Sequence, residues 1–147
     1  MEINQSLSFY ITVLYKDFLS FTEGELREIG LNFGQLPFIL YIGKHPDCTP
    51  TDVKNRLQMD WGYAQRCIAR LESDGFICKE KNKSNDRSYH LKLTDLGEQA
   101  FERSHTVFSN WDQMVKQALD MNEEKMLHSL FKKLIQQRKD DYRDGKI

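Results

Sequence analysis

Asp60-Trp61-Gly62-Tyr63-Ala64-Gln65-Arg66-Cys67-Ile68-Ala69-Arg70-Leu71-Glu72-Ser73-Asp74-Gly75 is the stretch on which the reading of this chain turns. Ala64, Cys67, Ile68 and Leu71 recur at the i, i+3, i+4, i+7 spacing of an amphipathic helix. Asp60 is placed to cap its first turn, and Gly75 to stop it in the left-handed conformation that ends many helices. The segment that follows, F-I-C-K-E-K-N-K-S-N-D-R-S-Y-H-L-K-L from Phe76 to Leu93, has short apolar-alternating runs on either side of Lys83-Ser84-Asn85-Asp86. Such a polar cluster of turn formers between two runs predicts a hairpin. A capped helix followed by a basic hairpin is the layout of a winged helix that reads DNA.

Upstream, Thr49-Pro50-Thr51-Asp52 opens a short helix over Pro50 to Leu57, with Thr49 as cap and Pro50 where its missing N–H costs nothing. Gln58-Met59 turns directly into the Asp60 helix, so the two form a helix-turn-helix. Asn32 and Gln35 form a capping-box variant opening an earlier helix from Phe33 to about Lys44, whose run Phe38-Ile39-Leu40-Tyr41-Ile42 suits a central core element.

The ends are predicted to be long helices. Ile3, Leu7, Tyr10, Ile11, Leu14, Phe18 and Phe21 step by three and four, with Phe9, Val13, Tyr15 and Leu19 widening the apolar coverage. Thr22 to Gly30, with Gly24 and Gly30 as breakers, is expected to close that helix. Thr94 caps another, striped by Leu96, Ala100, Val107, Phe108, Trp111, Met114, Val115, Ala118 and Leu119. Asn122 is expected to cap the last, with Glu123 and Glu124 in its first turn and Met126, Leu127, Leu130, Phe131, Leu134 and Ile135 on its buried side. A compact reader does not need these helices for its own core. Their apolar excess points to a second copy of the chain.

Composition fits one domain of ordinary size: 147 residues, 39% hydrophobic and 29% charged. The net charge of −1 hides an asymmetry. Residues 54–92 hold nine Lys/Arg and five Asp/Glu, whereas the remainder holds 12 basic and 17 acidic residues. That places a polyanion-binding face in the middle of an acidic molecule. The longest apolar stretch is far short of a membrane span, and the N-terminus lacks a signal-peptide pattern, so the expected location is the cytoplasm, with no membrane partner. Cys48, Cys67 and Cys78 are an odd number without a close CxxC pair, which argues for reduced thiols. Cys48 in its loop is open to oxidation on sequence alone. His45, His90, His105 and His128 lie far apart, so neither a metal site nor a cofactor is expected. No nucleophile, base and orienter constellation and no Gly-rich phosphate loop stands out, and the chain does not read as an enzyme.

Leu57 to Ile77, followed by Asp86-Arg87 and then Leu93-Thr94-Asp95-Leu96-Gly97, resembles the multiple antibiotic resistance regulator (MarR) family. The wing signature of that family is Asp-Arg, a short strand and Leu-Thr-x-x-Gly. The resemblance runs over nearly the whole chain in order. It implies a mainly α fold with a small β-hairpin: a winged helix-turn-helix with long N- and C-terminal dimerisation helices. Residues 1–147 would be a single domain, with the reader at about 32–94 and the dimerisation helices at about 1–21 and 95–143. The implied function is that of a homodimeric regulator on a pseudo-palindromic double-stranded operator, a repressor released by a small-molecule effector. A winged helix that contacts only proteins, or a redox- or metal-responsive regulator, is the alternative.

Within that frame the expected DNA contacts are Trp61, Gly62, Tyr63, Gln65, Arg66 and Arg70 on the recognition helix. Arg66 can donate two bonds to guanine and Gln65 can pair with adenine. Trp61 and Tyr63 either reach the groove or pack onto the neighbouring helix; relatives often carry Ser or Thr there. In the wing the candidates are Lys81, Lys83, Asp86 and Arg87. Arg87 is suited to a narrow minor groove, and the resemblance implies that Asp86 pins an arginine. A small, partly apolar ligand would sit where the reader meets the dimer helices, at a junction of Phe18, Phe38, Tyr41 and Trp111.

Overall fold

The computed structural model describes residues 5–82 and 85–143 of the chain. Its elements run α1 (Leu7–Glu28), α2 (Leu36–Lys44), α3 (Pro50–Leu57), α4 (Trp61–Ser73), β1 (Ile77–Asn82), β2 (Asn85–Leu93), α5 (Asp95–Lys116) and α6 (Met121–Arg143). This is the mainly helical winged fold with one antiparallel hairpin that the pattern predicts. Two units divide the chain, residues 1–109 and 110–147, with the boundary inside α5.

The first unit is built on a core in which Leu26, Phe38, Ile39, Val53, Ala64, Leu71 and Leu91 are fully buried. α2 supplies its centre. That helix starts at Leu36, three residues later than the sequence suggests, although the Asn32–Gln35 box forms with both reciprocal bonds at 3.0 Å. The reason is Pro37, which has no N–H to return to the Phe33 carbonyl, so the first helical bonds come from Phe38 and Ile39 to Gln35. α1 ends at Glu28, within the stretch expected to close it, but runs through Gly24, which does not act as a breaker. Thr22 and Leu26 are buried in the core, and that packing outweighs a glycine cost of about 1 kcal/mol. The stop comes at Gly30, whose φ of +80° lets Leu31 and Gly30 return hydrogen bonds to Leu26 and Arg27. Arg103 on α5, 2.8 Å from Glu28, ties the two helices at this end.

The reader follows its local signals closely. Thr49 accepts from Asp52 N–H at 3.1 Å while the Asp52 carboxylate accepts from Thr49 N–H at 2.8 Å, a complete capping box. Gln58 turns the chain in the left-handed region at φ 51°, and Asp60 caps α4 through Tyr63 N–H at 3.0 Å. α4 ends as α1 does: Gly75 at φ +84° with Phe76 bonded back to Leu71. The hairpin pairs Ile77 with Leu93 and Lys79 with Leu91, with an irregularity at Lys81/Asn82. Cys48 adds a short bridge to Leu91, tying the α2–α3 loop to the hairpin.

Thr94 joins the hairpin to α5. Its amide donates to the Phe76 carbonyl and its hydroxyl to the Gly75 carbonyl, while Gly97 N–H donates to Thr94 Oγ1. A Cβ at Gly97 would sit 1.9 Å from the Phe76 carbonyl oxygen. The Leu-Thr-x-x-Gly motif is therefore a contact device that lets a helix rest directly on a carbonyl.

In the second unit α6 starts at Met121, and its cap is Asp120, not Asn122. The Asp120 carboxylate accepts from Asn122 N–H at 2.7 Å and from Glu123 N–H at 3.0 Å, and Glu123 answers by accepting from Asp120 N–H. A carboxylate two residues earlier thus satisfies the free amides of the first turn. The apolar stripe of α6 is not buried as expected: Met126, Leu127, Leu130, Leu134 and Ile135 are all exposed. Among the described residues, no helix is long and apolar enough to cross a membrane.

Candidate nucleic-acid interface

α4 is amphipathic in the sense its sequence requires. Ala64, Ile68 and Leu71 are buried, and Cys67 packs at the edge of the core. The opposite face, Gln65, Arg66, Ala69 and Arg70, is exposed. A helix of 13 residues held by a carboxylate at one end and a glycine stop at the other presents those side chains on a rigid rod. Gly62 lies beneath the Arg66 guanidinium; a Cβ there would come 3.3 Å from Arg66 Nη1 and 3.2 Å from Asp60 Oδ2. The absence of a side chain at 62 gives the arginine room over the helix N-terminus. Arg70 is held by Asp74 at 2.9 Å, an exposed i,i+4 pair that adds little stability but orients the guanidinium.

The two aromatic residues at the start of α4 part ways. Trp61 is exposed. Tyr63 has its ring against Phe38, at 6.4 Å between centroids, and its hydroxyl lies against the Gly34 backbone. Hydrogen bonding with Cys67 is the main cause that holds the Tyr63 phenol above its ordinary value of 10.0. Tyr63 thus packs toward α2 on one side and offers an edge to solvent on the other.

In the hairpin, Lys81 is exposed. Lys83 lies outside the described residues. Asp86 and Arg87 fall on the β2 backbone, and their side chains are also outside the described set. Lys92 points to the base of the hairpin, 2.9 Å from Glu80 and 3.4 Å from Asp47; the Glu80 carboxylate, then Asp47, raise its pKa. It is a clamp on the α2–α3 loop and not a free cation. Lys79 lies 5.8 Å over the Tyr89 ring and 3.9 Å from Glu72. Between α4, the start of α3 and the hairpin opens a cleft of about 520 Å³, lined by Trp61 and Gln65 of α4, Thr49 and Thr51 before and in α3, and Lys79 and Tyr89 of the hairpin. Tyr89 was not singled out by the sequence. Its signal was its place on the outward face of an alternating strand, which a tyrosine shares with any solvated position.

Of the residues expected to line an effector junction, Phe18, Phe38 and Tyr41 lie in the first unit. Phe38 is fully buried in the core, Tyr41 stacks on His45 at 4.3 Å, and Phe18 packs against Phe33 and Phe108. Trp111 belongs to the second unit. Cys48 is buried, and burial first of all, with Asp52 next, pushes its thiol up to about 11. A thiol held so far from ionisation is a poor nucleophile toward oxidants.

Comparison with known proteins agrees with this architecture. Residues 31–89 match the MarR family. The HTH-type transcriptional regulator BilQ of Clostridium symbiosum is 36% identical over 132 residues, covering 90% of this chain and 92% of that protein. BilQ of Clostridioides difficile is 34% identical over 123 residues, covering 84% and 83%. Among solved structures, Streptococcus pneumoniae FabT in complex with DNA superposes with a TM-score of 0.81 at 23% identity, covering 91% of this chain and 96% of that one. A crystal structure of MarR gives 0.77 at 22% identity over 98% of both chains. With residues 31–89 matched to the family and a regulator 36% identical over 90% of the chain, this chain belongs to the MarR family and is a transcription regulator of the helix-turn-helix type.

Proposed function

We propose that the protein acts as a homodimer that binds a pseudo-palindromic double-stranded operator and represses transcription until a small, partly apolar effector releases it. The observation that carries the DNA reading is the exposed row Gln65, Arg66 and Arg70 on a capped helix beside the hairpin. FabT, of the same fold, was solved with DNA. In this reading Trp61, Gly62, Tyr63, Gln65, Arg66 and Arg70 are the DNA contacts of the recognition helix that enters the major groove. Lys81, Lys83, Asp86 and Arg87 belong to the wing that approaches the minor groove.

The dimer rests on exposed apolar surface. In α1, Leu7, Tyr10, Ile11, Val13 and Tyr15 are each roughly half exposed, as are Leu130, Leu134 and Ile135 in α6. Helices with so much uncovered apolar surface bury it against a partner, and closed two-fold pairing is the commonest solution. Two recognition helices about 34 Å apart then enter successive major grooves. The whole chain works in this reading as one regulatory domain, its reader at about 32–94 and its dimer helices at the ends, in the cytoplasm. An effector near Phe18, Phe38, Tyr41 and Trp111 would release DNA only through higher affinity for a dimer whose recognition helices are wrongly spaced.

Electrophoretic shift against the upstream region of the gene itself, with sedimentation equilibrium of the free protein, tests both parts. A salt-sensitive shift and a two-chain mass are expected. A monomer, or no shift of any duplex at low salt, overturns the reading. The redox alternative is disfavoured by the buried Cys48 with its raised pKa.

A further inference from the structure

We infer that Trp61 and Tyr89 form a neutral aromatic clamp on the DNA sugar–phosphate backbone, gripping the strand that crosses between the recognition helix and the hairpin. The inference rests on the DNA reading above and adds a contact that carries no charge. A helix in the major groove and a wing in the adjacent minor groove are separated by one backbone strand. The space between α4 and the hairpin is where that strand must pass. In this protein the space is the 520 Å³ cleft, continuous with the exposed Gln65 face of α4.

The chemistry of the cleft is unusual for a polyanion site. Ile68 and Ala69 contribute to its lining, and the Trp61 and Tyr89 rings, 41% and 42% exposed, flank it. The one cation among its described lining residues, Lys79, lies between the Tyr89 ring and Glu72. The start of α3 also lines the cleft, and there the Asp52 carboxylate already takes the Thr49 N–H. Thr51, Gln65 and Ser88 add small polar groups to the lining, and the two rings offer faces for deoxyribose and two further neutral donors, the indole N–H and the phenol O–H, for phosphate oxygens. Phosphate contacts position a protein without reading sequence. Contacts from neutral donors also release no counterion, so their loss leaves the salt dependence alone.

The test uses the full-length protein and two duplexes, one carrying the upstream region and one of mixed sequence. Tyr89→Phe keeps the ring and removes only the donor, whereas Trp61→Phe keeps a smaller aromatic ring and removes the donor with part of the indole face. Each is expected to weaken binding by about three- to tenfold, the size of one net hydrogen bond, on both duplexes alike and with an unchanged slope of affinity against salt. In ¹⁹F NMR of protein labelled with 5-fluorotryptophan, the resonance missing from Trp61→Phe identifies Trp61. That resonance should shift and lose its solvent isotope effect when either duplex is added. Wild-type protein that binds no duplex removes the DNA reading itself, and the clamp with it. Wild-type protein that binds while Trp61 stays solvent-exposed overturns the clamp alone. So does a loss confined to the upstream duplex, unchanged affinity in both variants, or a salt slope that falls by about one, the mark of a lost phosphate cation.

Discussion

The two halves of α1 differ more than their sequences do. Both are striped with aromatic and aliphatic residues, yet Thr22 and Leu26 are fully buried while Leu7, Tyr10 and Tyr15 each stand more than half exposed. The same contrast separates the winged core, where Phe38, Val53 and Leu71 see no solvent, from α6, where Leu130 and Leu134 do. An apolar stripe marks a surface that is to be covered, and it does not say by which chain. The winged part closes its own core. The outer half of α1 and the length of α6 leave theirs exposed, and in the proposed function a second copy covers it.

The sharpest way to break that comparison is in α6. Leu130→Asp with Leu134→Asp places charge where the proposed partner sits. A buried leucine is worth about 1.5–3 kcal/mol, so the dimer dissociation constant should rise at least about a hundredfold. Sedimentation equilibrium reads this directly, and an unchanged two-chain mass would move the interface elsewhere. Phe38→Ala attacks the other side and should cost about 3–5 kcal/mol in urea unfolding. A loss under about 1 kcal/mol would mean that the core closes over the gap, against the full burial seen here.

Between these extremes lies the reading face, which packs on neither side. Arg66→Ala should cost about 1–3 kcal/mol of discrimination between operator and scrambled duplex, whereas Lys81→Ala should lower both affinities together and reduce the salt slope by about one. Equal losses on both duplexes for Arg66→Ala would take that residue out of the base-reading set. Thr22 sharpens the comparison from inside α1. Its buried hydroxyl has no hydrogen-bond partner among the described residues, so Thr22→Val should stabilise the protein by about 1 kcal/mol in a urea titration. Destabilisation would show that the hydroxyl is satisfied in solution.

The smallest effect belongs to Asp52. The Thr49 backbone N–H, then its side chain, hold the Asp52 carboxyl below its ordinary 3.8. Because the folded value is depressed, the stabilisation is fully present above the unfolded pKa and is lost as pH falls through the folded one. Urea midpoints from neutral pH down to acid should therefore converge for wild type and Asp52→Asn, and parallel curves would deny the box a role in acid sensitivity.

Much of this fold was legible because its signals are local. Thr49, Asp60 and Gly75 each act within four residues of their own position, Thr94 caps α5 through Gly97, and each does what its residue type and place imply. The misread boundaries arose where something else competed. Burial of Leu26 carried α1 through Gly24, the missing N–H of Pro37 delayed α2, and Asp120 outcompeted Asn122 as a cap because its carboxylate takes two amides. The exposed row of α4 could be read from its periodicity. The cleft could not, since it joins Trp61 to Tyr89 across 28 positions of sequence and depends on how the hairpin folds back.

Gly97 carries a consequence for genetics. Its Cβ position is filled by the Phe76 carbonyl oxygen, so every one of the other residues meets the same backbone atom before its own side chain begins. In a saturation library selected for regulation, position 97 should return glycine alone, with alanine as poorly tolerated as tryptophan. Gly24, with nothing within 4 Å of its Cβ position, should return a broad alphabet instead. Suppressors of a Gly97 variant would then have to arise by moving backbone around Phe76, which a single side-chain change elsewhere does not supply.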